Sequence, residues 1–419
     1  MVGLCIGFAW LPVESSPPFE FEEASVDLND LDLRVGPDTF EAWRSVVDPY
    51  DQLRGLVTTG PSHLQVTLNS EAPVVAPWYN QEIRNTRNES ESLAGLSIVL
   101  DPGHFGGAWS EHESRHIERD GEFPIREGNL NYATAALTAN ALTQAGARVF
   151  LTRGSPPTQP FEEHIPPRHI LEREASIWLG NNAHRWDTRF LINAYPAWFA
   201  DRLLRMRRDA KIRDSAAHLF AIGDLRERSQ LGRDCEADAM VSIHYNGAKR
   251  PSVNHILAFI PGHFMKGELL SPAAKRLAID ALMSGRLPVS AQLGLHIVDA
   301  MKKEMGLETS IETKRSHSQV LPDYPGVFAR NLAILRRTRV PVVLVEGPFM
   351  SHPAEYPRLV NAEDGTPGIR TRQYARALVR GITDAAPLLR AYRQARPPSH
   401  ADCPLLPWAK KPSVAGPRL

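Results

Sequence analysis

Cysteine is too scarce in this chain to build a site. Among 419 residues only Cys5, Cys235 and Cys403 occur, far apart and without a C-x-x-C spacing. Neither a disulfide framework nor a thiolate zinc site is expected, so any metal has to be held by histidine and carboxylate. Net charge is missing as well: Lys plus Arg and Asp plus Glu both number 48, which removes bulk attraction to nucleic acid. Long hydrophobic runs are absent. The apolar N-terminal stretch Val2 to Trp10 has no positive flank and is too short to span a bilayer. It reads equally as the remnant of a secretion signal or as a strand or loop of the mature protein. The Gly106-Gly107 pair is followed by neither G-x-G-x-x-G nor Lys-Ser/Thr, so a nucleotide site has no support. No internal repeat is visible.

What is present is ordinary for a soluble globular protein, with 42% hydrophobic and 23% charged residues. The 34 prolines cluster in connections. Residues 1–90 read as an accessory segment, partly β, in which Leu64 to Leu68 has the period-two pattern of a strand. The polar run Asn80 to Ser92 leads out of it. From 94 to about 395 the rhythm is α/β. Leu96 to Leu100 is a short buried strand that stops at Asp101-Pro102-Gly103-His104. A polar loop, Ala108 to Arg126, follows. The next helix opens at Glu127, has Leu130, Ala133, Leu137, Ala141 and Leu142 on one face, and stops at Gly146. Arg148 to Thr152 is the next strand. This βαβ unit predicts a sheet with parallel pairs.

Residues 155–222 and 265–320 read as insertions with helical character, the first one arginine-rich on what is most simply a solvated face. Further strands are expected at 238–246, 256–260 and 340–346, with a short helix at 327–335 and a final helix at about 370–394. The tail 396–419 is proline-rich.

Three apolar strands therefore end in His104, His244 and Glu346, and Glu127 opens the helix after the first of them. Carboxyl ends of parallel strands and the N-termini of the following helices share one rim, so these four groups can converge. Two imidazoles and one carboxylate are a ligand set for a catalytic zinc that keeps a position open for water. A second carboxylate, not a ligand, would take the proton from that water.

In their order, Asp101-Pro102-Gly103-His104, Glu127-x-Asn129-Leu130, Ser242-Ile243-His244-x-Asn246 and Val343-Leu344-Val345-Glu346-Gly347 resemble the motifs of the zinc-dependent N-acetylmuramoyl-L-alanine amidases. The likeness covers roughly 96–153, 222–262 and 325–390. It implies a mostly parallel sheet of about six strands with helices on both faces. It implies Zn2+ on His104, Glu127 and His244, with Glu346 as general base. It also implies a peptidoglycan or muropeptide substrate and a periplasmic or exported location. Some members carry a helix that blocks the metal until a protein partner displaces it, a role open to either insertion.

Two departures from the family pattern stand out. Phe105 intervenes before Gly106-Gly107, and Pro348 separates Gly347 from Phe349, with His352 where the family has asparagine. The long loop before Glu127 adds His112 and His116 as competing ligands. Asn246 either contacts substrate or holds its loop. Asp101 either caps its turn or orients His104, and Arg153 and Arg228 read as structural pairing residues. His255, His263, His296 and His317 read as surface or hydrogen-bonded histidines. Two other readings stay open: a zinc carboxypeptidase on cell-wall peptides, and a non-catalytic wall-binding regulator on the same fold.

Overall fold

The computed structural model describes residues 33–68, 72–79, 93–104, 106, 110, 114–119, 124–153, 224–226, 228–230, 235, 237–310, 317–361 and 365–395. The expectations for the N-terminal stretch 1–32, for 155–222, for Phe105 and His112, and for the tail 396–419 lie outside these residues.

A seven-stranded mixed sheet carries the fold. Its strands are β4 (Ser97–Pro102), β7 (Arg148–Leu151), β8 (Ala239–Asn246), β9 (Leu257–Ile260), β10 (Gln319–Val320), β11 (Val327–Ala329) and β12 (Val342–Phe349), in the order β10-β11-β9-β12-β8-β4-β7. From β12 through β8 and β4 to β7 all pairings are parallel. Strand β9 runs antiparallel to β12, and β11 follows β9 in parallel. The two-residue β10 is the strand beyond the expected six. Residues 327–329, expected as helix, instead form β11 beside β9, because tertiary pairing overrides the weak local pattern of so short a segment. Only Ala333–Arg337 of that stretch is helical.

Side-chain alternation along the strands sorts the core into two layers. Ile98, Leu100, Val241, Ile243, Val343 and Val345 face one cluster, whereas Val99, Met240, Val342 and Leu344 face the other. The first layer is covered by α2 (Glu127–Gln144), α4 (Arg286–Met305) and α7 (Ile369–Asp384), with α3 (Pro272–Met283) and α8 (Ala386–Gln394) at its margin. Helix α2 is buried nearly all round, and α7 packs against it. The second layer is covered by α5 (Ala333–Arg337) and the residues around Leu225 and Cys235, and the one-turn α6 (Tyr356–Leu359) follows β12. Helices thus lie on both faces, as the motifs imply.

Of the accessory segment, α1 (Pro37–Val47) and a three-stranded antiparallel sheet, β1 (Val57–Thr59), β2 (His63–Val66) and β3 (Val74–Pro77), share the first core cluster through Phe40, Val47, Leu53 and Leu64. Backbone hydrogen bonds from Arg34 to Met283 and from His263 to Val46 tie it to the loop and helix of 262–283. Cys235 is disulfide-bonded, against the expectation from spacing. Sequence distance does not limit pairing in a folded chain.

Candidate metal centre and active site

The loop after β4 delivers His104 in a backbone conformation that few residues other than glycine adopt, with φ +56°. Two contacts hold the turn there. Gly103 donates its N–H to the Ile243 carbonyl at 2.9 Å, and its own carbonyl accepts from Asn131 Nδ2 at 2.8 Å. Asn131 is buried on α2, so the helix that supplies Glu127 also fixes the turn that supplies His104. Gly103 is required for room. A Cβ there would stand 2.2 Å from Cε1 and Nε2 of His244.

His244 leaves β8 on the same face as Ser242 and Met240, and Glu346 is its register partner on β12. Parallel pairing in register makes the two side chains neighbours. Tyr374 of α7 fastens both strands at this level, donating its hydroxyl to the carbonyls of His244 and Val345 at 3.2 and 3.1 Å.

Glu127 sits at the start of α2 and is 1% exposed. Its Oε1 lies 3.1 Å from His244 Nδ1 and 3.5 Å from His104 Nε2, and it accepts the Tyr245 N–H at 3.3 Å. The imidazoles of His104 and His244 meet edge to face at 4.9 Å. One donor atom from each of the three residues lies within 4.8 Å of the others, so the group can hold a metal ion. The buried Oε2 of Glu127 has no hydrogen-bond partner, which suits a carboxylate shaped to bind a cation. Burial by itself would raise the Glu127 carboxyl, yet His104 and His244 outweigh it and hold it at about 2. The same burial, with the Glu127 carboxylate adding to it and His244 opposing, pushes Glu346 up to about 7. Two carboxyls in one site are thereby driven apart, one held low and the other raised toward neutrality.

These groups line a cavity of about 300 Å³ that also receives Asn246, Arg115 and Arg330. Asn246 holds its loop, with Oδ1 accepting the Gly247 N–H at 2.9 Å, while it also borders the cavity. Of the described histidines, only His104 and His244 line it. His116 lies on the hairpin β5 (His116–Ile117) and β6 (Ile125–Arg126) and does not join the donor group. The helices α3 and α4, within the segment read as a second insertion, border the core and contribute nothing to the cavity wall.

Asp101 neither caps its turn nor touches His104. It points to the buried side of β4, where Arg228 Nη1 approaches its two oxygens at 2.8 and 2.9 Å and Ser242 and Thr152 donate at 2.6 Å each. Burial raises its carboxyl, but Arg228 and the two hydroxyls prevail and keep it below the ordinary value. Arg228 and Arg153 both also bind Asp224, at 2.9 Å, which closes a buried network under the site. The structural roles read for these arginines match that arrangement. Sequence reasoning missed Asn131, Tyr374, Arg115 and Arg330. Only Arg115 had a visible signal, a cation in the polar loop before Glu127.

Residues 200–384 match the family model described as N-acetylmuramoyl-L-alanine amidase. This is the family that the four motifs resemble, and the match contains His244 and Glu346. No curated protein matches the chain. Among solved structures, the CwlD amidase of Clostridioides difficile, solved with the GerS lipoprotein, is 15% identical with TM-score 0.38, over 70% of this chain and 98% of that one. Ami1 of Mycobacterium smegmatis is 18% identical with TM-score 0.38, over 70% and 98%. The catalytic domain of CwlV from Bacillus (Paenibacillus) polymyxa var. colistinus is 18% identical with TM-score 0.35, over 69% and 97%.

Proposed function

We propose that this chain, which matches the N-acetylmuramoyl-L-alanine amidase family over residues 200–384, is a zinc-dependent hydrolase of the amide between N-acetylmuramic acid and L-alanine in peptidoglycan. The observation that carries this reading is the convergence of His104, Glu127 and His244 within 4.8 Å, with Glu346 in register beside His244. Two neutral imidazoles and a carboxylate suit Zn2+, which when bound polarises a carbonyl and acidifies water.

The chain's own residues do the rest. Glu127, ionised far below neutrality, is ready as a ligand at any physiological pH. Glu346 takes a proton from the attacking water at its carboxylate and passes it to the leaving alanine nitrogen. A carboxyl raised toward 7 accepts and returns a proton with little bias at neutral pH. Asn246, at the cavity edge, is proposed to meet substrate while it braces the loop.

An extracytoplasmic location follows from this substrate. The disulfide at Cys235 is in keeping with an oxidising compartment, and no helix among the described residues is long and apolar enough to cross a membrane. We extend the proposal to an activating protein partner.

The test is metal analysis of the wild type beside His104→Ala, Glu127→Ala and His244→Ala. About one zinc per chain is expected in the wild type, with a marked loss in each variant; zinc retained in all three sinks the site. The carboxypeptidase reading is kept alive by one observation, the arginines at the cavity, since a terminal carboxylate needs a cation to receive it. Product analysis on purified sacculi separates the two. Glycan strands freed of peptide support the amidase, and single released terminal amino acids support the peptidase.

A further inference from the structure

Helix α2 is buried nearly all round, yet it carries polar side chains at Glu127, Asn131, Thr134 and Thr138. The spacing of four, three and four residues sets them in one line along the helix. All four are at most 1% exposed. Buried polar groups cost stability unless each finds a partner, so the direction in which this line points is informative.

It points at the two segments that deliver the histidines. Glu127 Oε1, besides facing both imidazoles, accepts the Tyr245 N–H at 3.3 Å. Asn131, one turn on, donates Nδ2 to the carbonyl of Gly103, the residue before His104, at 2.8 Å. Thr134, a further turn on, meets the hydroxyl of Tyr245, the residue after His244, at 2.8 Å. Tyr245 is thus gripped at both ends by the same helix, its backbone by Glu127 and its ring tip by Thr134. Thr138 turns its hydroxyl back to the Thr134 carbonyl at 2.8 Å and reaches no further.

The protons at the Tyr245 hydroxyl have one arrangement. Thr371 of α7 donates its single hydroxyl proton to the Leu359 carbonyl at 2.7 Å, so toward Tyr245 it can only accept, at 3.2 Å. The Tyr245 proton is then spent, and Thr134 is the donor to Tyr245. Apolar packing is non-directional and leaves a helix free to slide or turn slightly. Hydrogen bonds are directional and confined to a few tenths of an ångström, the scale on which metal–ligand distances are also set.

We propose that Asn131 and Thr134 are positioning residues for the metal group. They fix the height and rotation of α2 against the two histidine-bearing segments, Asn131 through the His104 turn and Thr134 through Tyr245. Glu127 is thereby kept at ligand distance from both imidazoles. The proposal rests on the reading of His104, Glu127 and His244 as zinc ligands.

Zinc affinity is measured on the full-length protein by competition with a chromophoric chelator, and denaturation midpoints are taken on the same samples. Asn131→Leu, Thr134→Val and Tyr245→Phe are each expected to lose about ten-fold in zinc affinity, the lower end of what disturbing a ligand's support costs. Thr134→Ser, which keeps the donor, is expected to restore it. The double variant Thr134→Val, Tyr245→Phe is expected to lose no more than either single one, since both remove the same link. Asn131→Ala covers the case in which leucine at that position does not fold. Folded variants with lowered midpoints and wild-type zinc affinity overturn the proposal, because that is the signature of a merely structural role. Additive losses in the double variant overturn the path through Tyr245. A wild type that binds no zinc refutes the metal reading and the proposal with it, whereas a zinc-binding wild type matched by every variant refutes the proposal alone.

Discussion

Gly103→Ala isolates one geometric requirement of the metal group. The added methyl would stand 2.2 Å from two ring atoms of His244, where ordinary contact begins at 3.4 Å. The His244 ring must therefore retreat by more than an ångström or the turn carrying His104 must open. Metal–ligand distances tolerate deviations of only about 0.2 Å, so either response breaks the donor set. Zinc affinity is expected to fall by about 100-fold or more, the upper end of what disturbing a ligand's support costs. The fold itself should survive, because Gly103 is not at positive φ and keeps its backbone bonds to Ile243 and Asn131. Gly247→Ala is the control: it lies three residues past His244 and meets nothing within 4 Å. Competition titration with a chromophoric chelator measures both variants, and the denaturation midpoint shows whether either has lost the fold. Wild-type zinc affinity in a folded Gly103→Ala protein would refute the reasoning.

Glu346→Gln is expected to retain zinc and lose about 10²- to 10⁴-fold in kcat, the contribution of a positioned general base; zinc loss alongside activity would assign Glu346 to the metal instead. As the proposed general base Glu346 acts in its ionised form, so the rate should fall as pH drops through its pKa. Burial raises that value from 4.5 to about 7 before a cation pulls it back, so the acid limb of kcat/KM is expected between these bounds. An acid limb that persists in whatever activity Glu346→Gln retains would assign it to another group. Asp280 offers a stability test away from the site. Burial raises its carboxyl, but Arg286 at 2.6 Å and Arg339 at 3.1 Å prevail and hold it below 3.8. A folded-state pKa below the unfolded one means stability that is present above the unfolded value and is lost as pH falls through the folded one. Urea midpoints should therefore decline below about pH 4 in the wild type, and the Asp280→Asn variant should show a shallower decline. That variant, which leaves Arg286 buried without its partner charge, should also cost about 3 kcal/mol at neutral pH. Equal pH slopes in the two proteins would remove Asp280 from the acid response.

Much of the site was legible because it is written at strand ends. Leu96 to Leu100 and Val342 to Val345 are apolar runs that only a sheet covered on both faces accommodates, and each stops at a group that does chemistry. Glu127 could be placed because the residues after it follow helical spacing. Where local signal was thin, the reading failed. Val327 to Ala329 carries no period long enough to mark a strand, and β9 imposes that state by pairing with it. Asp101 was read through its neighbour His104 in sequence, whereas its carboxylate is taken up by Arg228, Ser242 and Thr152 from elements far along the chain.

By itself, then, the sequence determined which groups are available for chemistry and at which ends of which elements they stand, since apolar period and turn residues are local properties. Tertiary structure alone decided that Glu346 faces His244 through strand register, and that Asn131 and Tyr374 lock the turn and strands from helices far along the chain. It also decided that Arg115 and Arg330 border one cavity. Those relations join residues tens to hundreds of positions apart. They depend on the strand order and on which helix covers which layer, and no local pattern encodes either.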